Sequence, residues 1–95
     1  MVFNRLVFRV PAIQRMYERH ISEEEVRQTI AAGEVIEAYS DDTPYPSRLV
    51  LGWHGARPLH VVVADDAADQ TNIVVTVYEP AKDEWDADFK RREKQ

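Results

Sequence analysis

The sequence predicts an α+β fold in which an N-terminal strand and two helices pack on an antiparallel sheet of about four strands. Two patterns support this prediction. Apolar residues recur with helical spacing in residues 11–32, and short β-branched runs separated by turn residues follow from residue 34 onward. Ninety-five residues suit one domain, 1–95, and neither a repeat nor a linker divides them. Helices are therefore expected on one face of the sheet.

The N-terminal elements are predicted from alternation and from one proline. Val2–Val10 alternates loosely and is predicted to be the first strand. Pro11 fits the first turn of a short helix over residues 12–19, because the N–H group that proline lacks is not needed there. The residues spaced to form the buried stripe of this helix are Ile13, Met16 and Tyr17.

The second helix has the clearest local signals. Ser22 and Glu25 have the spacing of a capping box, and three acidic residues suit the positive end of the helix dipole. Gly33 is placed to end the helix in the left-handed conformation. The residues expected to be buried are Val26, Thr29 and Ile30.

The rest of the chain is predicted to be a four-stranded meander. The expected strands are 35–39, Ser47–His54, Arg57–Ala64 and Asn72–Glu79, with a hairpin at Gly55-Ala56 and a polar loop over 65–71. Trp85 and Phe89, four residues apart, are expected to pin the C-terminus to the body of the domain.

Composition restricts the class of protein. The chain has no cysteines, so a disulfide framework and a thiolate metal site are excluded. No apolar run approaches the ~20 residues that span a bilayer, and the opening residues lack a signal-peptide core, so we expect a cytoplasmic protein without membrane contact. The net charge of −5 argues against a generic nucleic-acid binder, although arginines are spread along the chain and a basic tail runs from Lys90 to Lys94.

Polar residues interrupt the last two β-branched runs. If Ala64 lies opposite Asn72, then His60 lies across from Thr76 and diagonal to Tyr78. An imidazole, a hydroxyl and a phenol would then share one face of the sheet. A slip of one residue in this register would remove His60 from that face.

Several segments together resemble a known family. They are His20-Ile-Ser-Glu-Glu-Glu-Val, Gly33-Glu-Val-Ile-Glu, Tyr45-Pro-Ser-Arg-Leu, Arg57-Pro-Leu-His-Val-Val, Val77-Tyr-Glu-Pro, Trp85-Asp and Phe89-Lys-Arg-Arg. The combination is similar to the domain-of-unknown-function family "four-two-five-eight", which is related to RelE-like and MqsR-like toxins. This resemblance implies a barnase/RelE-like fold with a curved sheet. It also implies the toxin of a bacterial toxin–antitoxin module, acting as an endoribonuclease that needs no metal or other cofactor.

The chain departs from the family pattern at the first helix. Relatives usually carry His-Ala-x-x-Arg-Met there, whereas this chain has Pro11 in the place of the histidine. His20 stands where relatives usually have a glycine before Ile21. If the missing imidazole is catalytic in the family, the resemblance implies an impaired enzyme in this copy.

Metal-independent RNA cleavage needs a base for the 2′-hydroxyl, an acid for the leaving 5′-oxygen and cations for the phosphate. We assign His60 as acid or base, since it titrates near neutrality, and Tyr78 as a donor. Arg48 can clamp a phosphate, and Thr76 can orient groups nearby. The RNA-binding residues are predicted to be Arg15, Arg48 and Arg57, and no residue is assigned to a metal.

The expected partners are RNA, including ribosome-bound mRNA, and a small cognate antitoxin. A homodimer is left open, and so is a binding module that holds RNA or antitoxin without catalysis. Each site residue also has a structural interpretation. His60 and Tyr78 can be packing residues, Arg48 an exposed strand residue, and Arg15 a partner of Glu18 or Glu24. The other interpretations are exposed idle side chains for His20 and His54, and core or tail anchors for Trp53, Trp85 and Phe89.

Overall fold

A computed structural model describes residues 3–93, which form two helices and a five-stranded sheet. The elements are β1 (Arg5–Phe8), α1 (Val10–Arg19), α2 (Glu23–Ala32), β2 (Glu34–Tyr39), β3 (Ser47–His54), β4 (Arg57–Asp66) and β5 (Thr71–Tyr78). Val2 at the start of the predicted first strand, and Lys94 in the basic tail, lie outside the described residues. Neither helix in the described part of the chain has the length and hydrophobicity that a membrane span needs.

The sheet is mixed, with the strand order β1-β5-β4-β3-β2. β2 to β5 form the predicted antiparallel meander, but β1 joins its edge in parallel with β5. The α+β class is therefore confirmed, whereas the expectation of an antiparallel sheet of about four strands is corrected. Two hydrogen bonds flank this added strand. Phe3 N–H donates to the side-chain oxygen Oδ1 of Asn72 (2.7 Å), and Arg9 N–H donates to the Val74 carbonyl (3.0 Å). Alternation in the sequence predicts a strand but does not name its neighbour.

The first helix is turned differently from the prediction. Ala12 is its buried residue, while Ile13 is 52 % exposed and Tyr17 is 86 % exposed. The stripe predicted from Ile13, Met16 and Tyr17 is therefore wrong except for Met16, which packs partly against the core. The small side chain of Ala12 allows α1 to lie close to the sheet, and that approach turns its neighbours outward.

The two helices end at His20 and Gly33, and the backbone conformations of these two residues differ. α1 ends at His20, whose φ of 55° is left-handed, and Ile21 N–H donates to the Met16 carbonyl (2.9 Å). A glycine suits such a position best. Gly33 is extended instead, with φ −75°, so its predicted left-handed cap is wrong. Glycine is needed there because a Cβ would lie 2.6 Å from the Leu51 carbonyl oxygen.

The rest of α2 follows the prediction. Ser22 Oγ accepts from Glu25 N–H (3.1 Å), and Glu25 Oε1 accepts from Ser22 N–H (2.8 Å), which completes the capping box. The three residues expected to be buried, Val26, Thr29 and Ile30, are buried.

The sheet buries apolar side chains on both faces. We call one the helix face, where α1 and α2 cover Val50, Leu59, Val61, Val63, Val74 and Val77. We call the other the tail face, where Leu49 and Leu51 meet Trp85 and Phe89 of residues 80–93, the tail segment. Trp85 and Phe89 are buried, which confirms that they pin the tail to the sheet.

We predict that Gly52→Ala destabilises the domain, because α2 packs directly against β3 at Gly52. A Cβ there would lie 2.4 Å from Thr29 Oγ1. Crowding of this kind typically lowers the free energy of unfolding by about 1–3 kcal/mol, as measured by urea denaturation. Gly55→Asn is the matched control, since Gly55 is left-handed (φ 67°) with open space around it, and asparagine tolerates that conformation. Equal stability of the Gly52→Ala variant and the native chain would contradict the close packing.

Candidate active site

His60 lies at the centre of the tail face and is completely enclosed. Its ring is 0 % exposed and meets the Trp85 ring edge to face, with 4.4 Å between centroids. His60 Nε2 is 2.8 Å from the Phe89 carbonyl oxygen, and His60 Nδ1 is 3.2 Å from Tyr78 Oη. Both ring nitrogens are therefore occupied by the protein.

These two contacts define the proton positions. A carbonyl oxygen only accepts, so His60 Nε2 carries the hydrogen that it donates to Phe89. In the neutral ring Nδ1 then accepts from the Tyr78 hydroxyl. Burial lowers the pKa of His60 below its ordinary 6.5, the bond to Phe89 opposes that shift, and nearby Arg92 adds to it. The neutral ring is thus the native form.

The register between β4 and β5 differs from the one that we assumed. His60 lies opposite Tyr78, Val62 lies opposite Thr76, and Asp65 rather than Ala64 faces Asn72. The assumed pairing is therefore wrong by two residues at His60. An even shift keeps the side chains on their face, so His60, Thr76 and Tyr78 do share the tail face as predicted. A β-bulge at Val75 changes the register along the strands.

The tail segment decides which of these groups a substrate can reach. Trp85 and Phe89 lie over His60, so the imidazole has no direct access to RNA in this conformation. Tyr78 and Thr76 are half-buried. Burial raises the pKa of Tyr78, Glu37 and Glu84 raise it further, and Arg92 opposes them. Tyr78 is therefore a phenol at neutral pH and a hydrogen-bond donor.

Arg48 lies on the opposite face from His60. It is in register with Val63, whose side chain belongs to the helix face. Its Nε donates to Asp65 Oδ2 (3.0 Å) and its Nη2 donates to Asp65 Oδ1 (3.1 Å). Asn72 Nδ2 also donates to Asp65 Oδ1 (2.8 Å). This network joins three strands, so the predicted juxtaposition of Arg48 with His60 is corrected to a structural ion pair.

The other two predicted RNA-binding arginines, Arg57 and Arg15, also lie apart from His60. Arg57 donates to the carbonyls of Arg19 (2.6 Å) and His20 (3.3 Å), and its Nε donates to Glu79 (3.1 Å). It therefore holds the end of α1. Arg15 is exposed on α1, and no ion pair in the described part of the chain involves it. Its expected pairing with Glu18 or Glu24 is not seen there.

The tail face brings in polar groups that the sequence analysis did not select. Glu37 and Tyr39 of β2 are in register with Leu49 and Ser47, which places both side chains on this face. Tyr39 Oη donates to Glu37 Oε2 (2.9 Å). Burial, this bond and the charge of Glu37 raise the pKa of Tyr39 to about 12, and Tyr78 adds to the shift. The two phenols and Glu37 are thus within electrostatic reach of one another.

Cations of the tail segment complete this group. A cavity of about 350 Å³ is lined by Ile36, Glu37, Trp85, Lys90, Arg91 and Arg92. The Arg92 guanidinium lies over the Trp85 ring, 5.0 Å from its centroid. Lys90 Nζ pairs with Glu34 at 3.1 Å. We call Glu37, Tyr39, Tyr78 and Arg92 the tail-face cluster. Tyr78 was already a candidate from the sequence, and the basic run Lys90–Lys94 was the one signal for Arg92. Glu37 and Tyr39 were missed because only tertiary packing places β2 beside the tail segment.

The positions of three further residues from the sequence analysis, His54, Trp53 and Pro11, are also defined. His54 is not idle: its Nε2 lies 2.9 Å from Thr29 Oγ1, which itself donates to the Glu25 carbonyl. Trp53 is 50 % exposed and so is not a core residue, but its ring meets Phe89 of the tail segment edge to face, with 5.8 Å between centroids. Pro11 belongs to α1, which packs on the helix face, so this position lies across the sheet from His60. Residues 3–93 contain no group of three or more His, Cys, Asp or Glu side chains placed to hold a metal ion.

We predict a pH dependence of stability from the enclosed ring. Unfolded His60 titrates near its ordinary 6.5, whereas folded His60 resists protonation, so unfolding takes up a proton below pH 6.5. The contribution of His60 to the free energy of unfolding should be fully present above pH 6.5. As the pH is lowered from there, the free energy of unfolding should fall by at most about 1.4 kcal/mol per pH unit. Urea denaturation between pH 8 and 5 measures this slope, which His60→Gln should reduce.

The control for this prediction is a proton NMR titration of the native chain. The signals of the His60 ring should remain those of the neutral Nε2–H form through pH 6.5. Glu25 and Asp86 do not interfere, because their pKa values are lowered, by backbone hydrogen bonds above all, and they titrate in more acidic solution. A His60 pKa at or above 6.5 would contradict the enclosure of the ring.

Comparison with known proteins identifies a family. The model described as "Domain of unknown function (DUF4258)" matches residues 11–79, which is more than half of the chain. No curated protein and no solved structure matches the chain. The matched range includes β2 to β5 and both helices, but it ends before the tail segment. The chain therefore belongs to the DUF4258 family of domains of unknown function.

Proposed function

We propose that this protein is a RelE-like toxin that cleaves RNA without a metal ion, and that the tail-face cluster is its active site. One observation carries the proposal: Glu37, Tyr39 and Tyr78 lie on one face of the sheet, and Glu37 and Arg92 line a cavity that Lys90 and Arg91 also line. These are the groups that metal-independent phosphodiester cleavage needs. The family resemblance supports a toxin, with a small antitoxin as its partner and a cytoplasmic location.

The proposed reaction uses Glu37 as the base. Its carboxylate removes the proton of the ribose 2′-hydroxyl, and the 2′-oxygen forms a bond with phosphorus while the bond from phosphorus to the 5′-oxygen breaks. Arg91 and Arg92 stabilise the charge that the phosphate oxygens gain. The products are a 2′,3′-cyclic phosphate and a 5′-hydroxyl group.

Tyr78 is the proposed acid. In the free protein the Tyr78 hydroxyl donates its hydrogen bond to His60 Nδ1. In the reaction the hydroxyl rotates and gives its proton to the leaving 5′-oxygen, which needs one proton. His60 is a positioning residue in this mechanism, because it touches Tyr78 and not the substrate. This assignment replaces the direct acid or base role that the sequence suggested for His60. Thr76 lies two residues before Tyr78 on the same face and orients the RNA backbone.

A second candidate is a module that binds RNA or antitoxin without cleaving RNA. The specific observation in its favour is that three predicted site residues are engaged within the fold. His60 is enclosed, Arg48 is held by Asp65, and Arg57 holds the carbonyls at the end of α1. Pro11, in the place of the family histidine, agrees with this alternative.

We predict that the purified chain cleaves a long single-stranded RNA in EDTA, and that Tyr78→Phe slows cleavage by about 10²–10⁴-fold, the usual contribution of one acid–base group. Glu37→Gln should have an effect of similar size. Gel analysis of a time course measures the rates, and urea denaturation verifies that each variant is folded. Tyr17→Phe is the matched control, since Tyr17 is exposed on α1, and it should cleave at the native rate.

The same assay separates the two candidates. RNA that is bound but stays intact with the native chain would exclude the nuclease and favour the binding module. Native rates for both Tyr78→Phe and Glu37→Gln would show that cleavage, if present, occurs elsewhere or comes from a contaminant.

A further inference from the structure

A second cavity lies beside the proposed active site, between the end of α2 and β3. Its volume is about 500 Å³, and it is lined by Gln28, Thr29, Ala32, Gly33, Glu34, Leu51, Gly52, Trp53 and His54. None of the functions proposed above uses it.

The wall of this cavity is rigid. Gly33 and Gly52 allow α2 and β3 to approach so closely that a Cβ on either residue would overlap its neighbours. The bond between His54 Nε2 and Thr29 Oγ1 (2.9 Å) joins the same two elements. A ligand would therefore meet a preformed surface.

Trp53 is the large aromatic group at this cavity. The indole is half exposed because β2 begins at Glu34, opposite Leu51, so no strand lies beside Trp53 on the outer edge of β3. The ring of Phe89 meets it edge to face, with centroids 5.8 Å apart, and limits its orientation. An exposed aromatic ring held in place is a stacking platform for a nucleobase.

One ion pair lies between this cavity and the proposed phosphate site. Glu34 lines the Trp53 cavity, Lys90 lines the cavity with Arg91 and Arg92, and the side chains of Glu34 and Lys90 are 3.1 Å apart. A polynucleotide with its phosphate on these cations would thus place a neighbouring nucleotide near Trp53.

We propose that the Trp53 cavity binds a nucleobase of single-stranded RNA, next to the phosphate held by Lys90, Arg91 and Arg92. The choice of RNA as the ligand rests on the proposed function. Stacking on Trp53 supplies the affinity and tolerates any base, and Gln28 adds a polar side chain to the lining of the cavity. RNA is favoured over a peptide because three cations, Lys90, Arg91 and Arg92, line the neighbouring cavity, and Lys90 pairs with Glu34 of the Trp53 cavity.

The test uses a labelled single-stranded DNA of about twelve nucleotides, within the range of a single-strand site. This probe lacks the 2′-hydroxyl and so cannot be cleaved by the proposed reaction. Fluorescence anisotropy should show that Trp53→Ala weakens binding about 5- to 100-fold, the range for one stacked base. Trp53→Phe should retain most of the affinity. Tyr17→Ala, which removes an exposed aromatic ring from α1, should bind like the native chain.

Intrinsic fluorescence gives an independent readout. Trp85 is buried and Trp53 is exposed, so stacking should quench emission in the native chain but not in Trp53→Phe. Equal affinity of Trp53→Ala and Tyr17→Ala would overturn the base site, as would equally tight binding of duplex DNA, whose bases cannot stack on the protein. No binding of the probe by the native chain would overturn it too.

The outcomes keep this proposal separate from the nuclease. Trp53-dependent binding together with intact RNA would support the base site and exclude the cleavage reaction. Cleavage of RNA together with binding that does not depend on Trp53 would support the cleavage reaction and exclude the base site.

Discussion

The contact between the tail segment and the sheet sets the arrangement of the polar groups on the tail face. Its centre is the chain of hydrogen bonds from the Tyr78 hydroxyl to His60 and from His60 to the Phe89 carbonyl. An isolated imidazole buried under Trp85 would leave costly unpaired nitrogens. Because both nitrogens are paired, His60 can lie in an apolar layer, fix the hydroxyl of Tyr78 and hold the turn at Phe89. The tail then brings its cations to the edge of the same face.

This arrangement separates the polar residues into two kinds. Arg48 with Asp65, and Arg57 with the end of α1, hold elements together and are occupied by the fold. The tail-face cluster differs from these pairs, since Tyr39 and Arg92 are exposed. Paired groups of the first kind stabilise structure, whereas partly exposed groups with perturbed pKa values are typical of sites that act on a ligand. The tail face is therefore the surface on which function is proposed.

Much of the local structure could be predicted, because local signals determine it. The capping box at Ser22, the strand Ser47–His54 and the pinning role of Trp85 and Phe89 are all confirmed. The candidate site was predicted only in part. His60, Thr76 and Tyr78 do share a face, but the bulge at Val75 and the resulting register could not be known from alternation. Glu37, Tyr39 and Arg92 were missed because only tertiary packing brings distant segments of the chain together.

In the proposed reaction at the tail-face cluster, the 2′-oxygen of the RNA itself is the nucleophile that breaks the phosphodiester bond. The most direct measurement is the chemical identity of the new RNA ends, determined by mass spectrometry after incubation in EDTA. This reaction should leave a 2′,3′-cyclic phosphate, or its hydrolysis product, on one fragment and a 5′-hydroxyl on the other. A 5′-phosphate with a 3′-hydroxyl would mean that water or another group attacks from outside, and it would contradict the roles given to Glu37 and Tyr78.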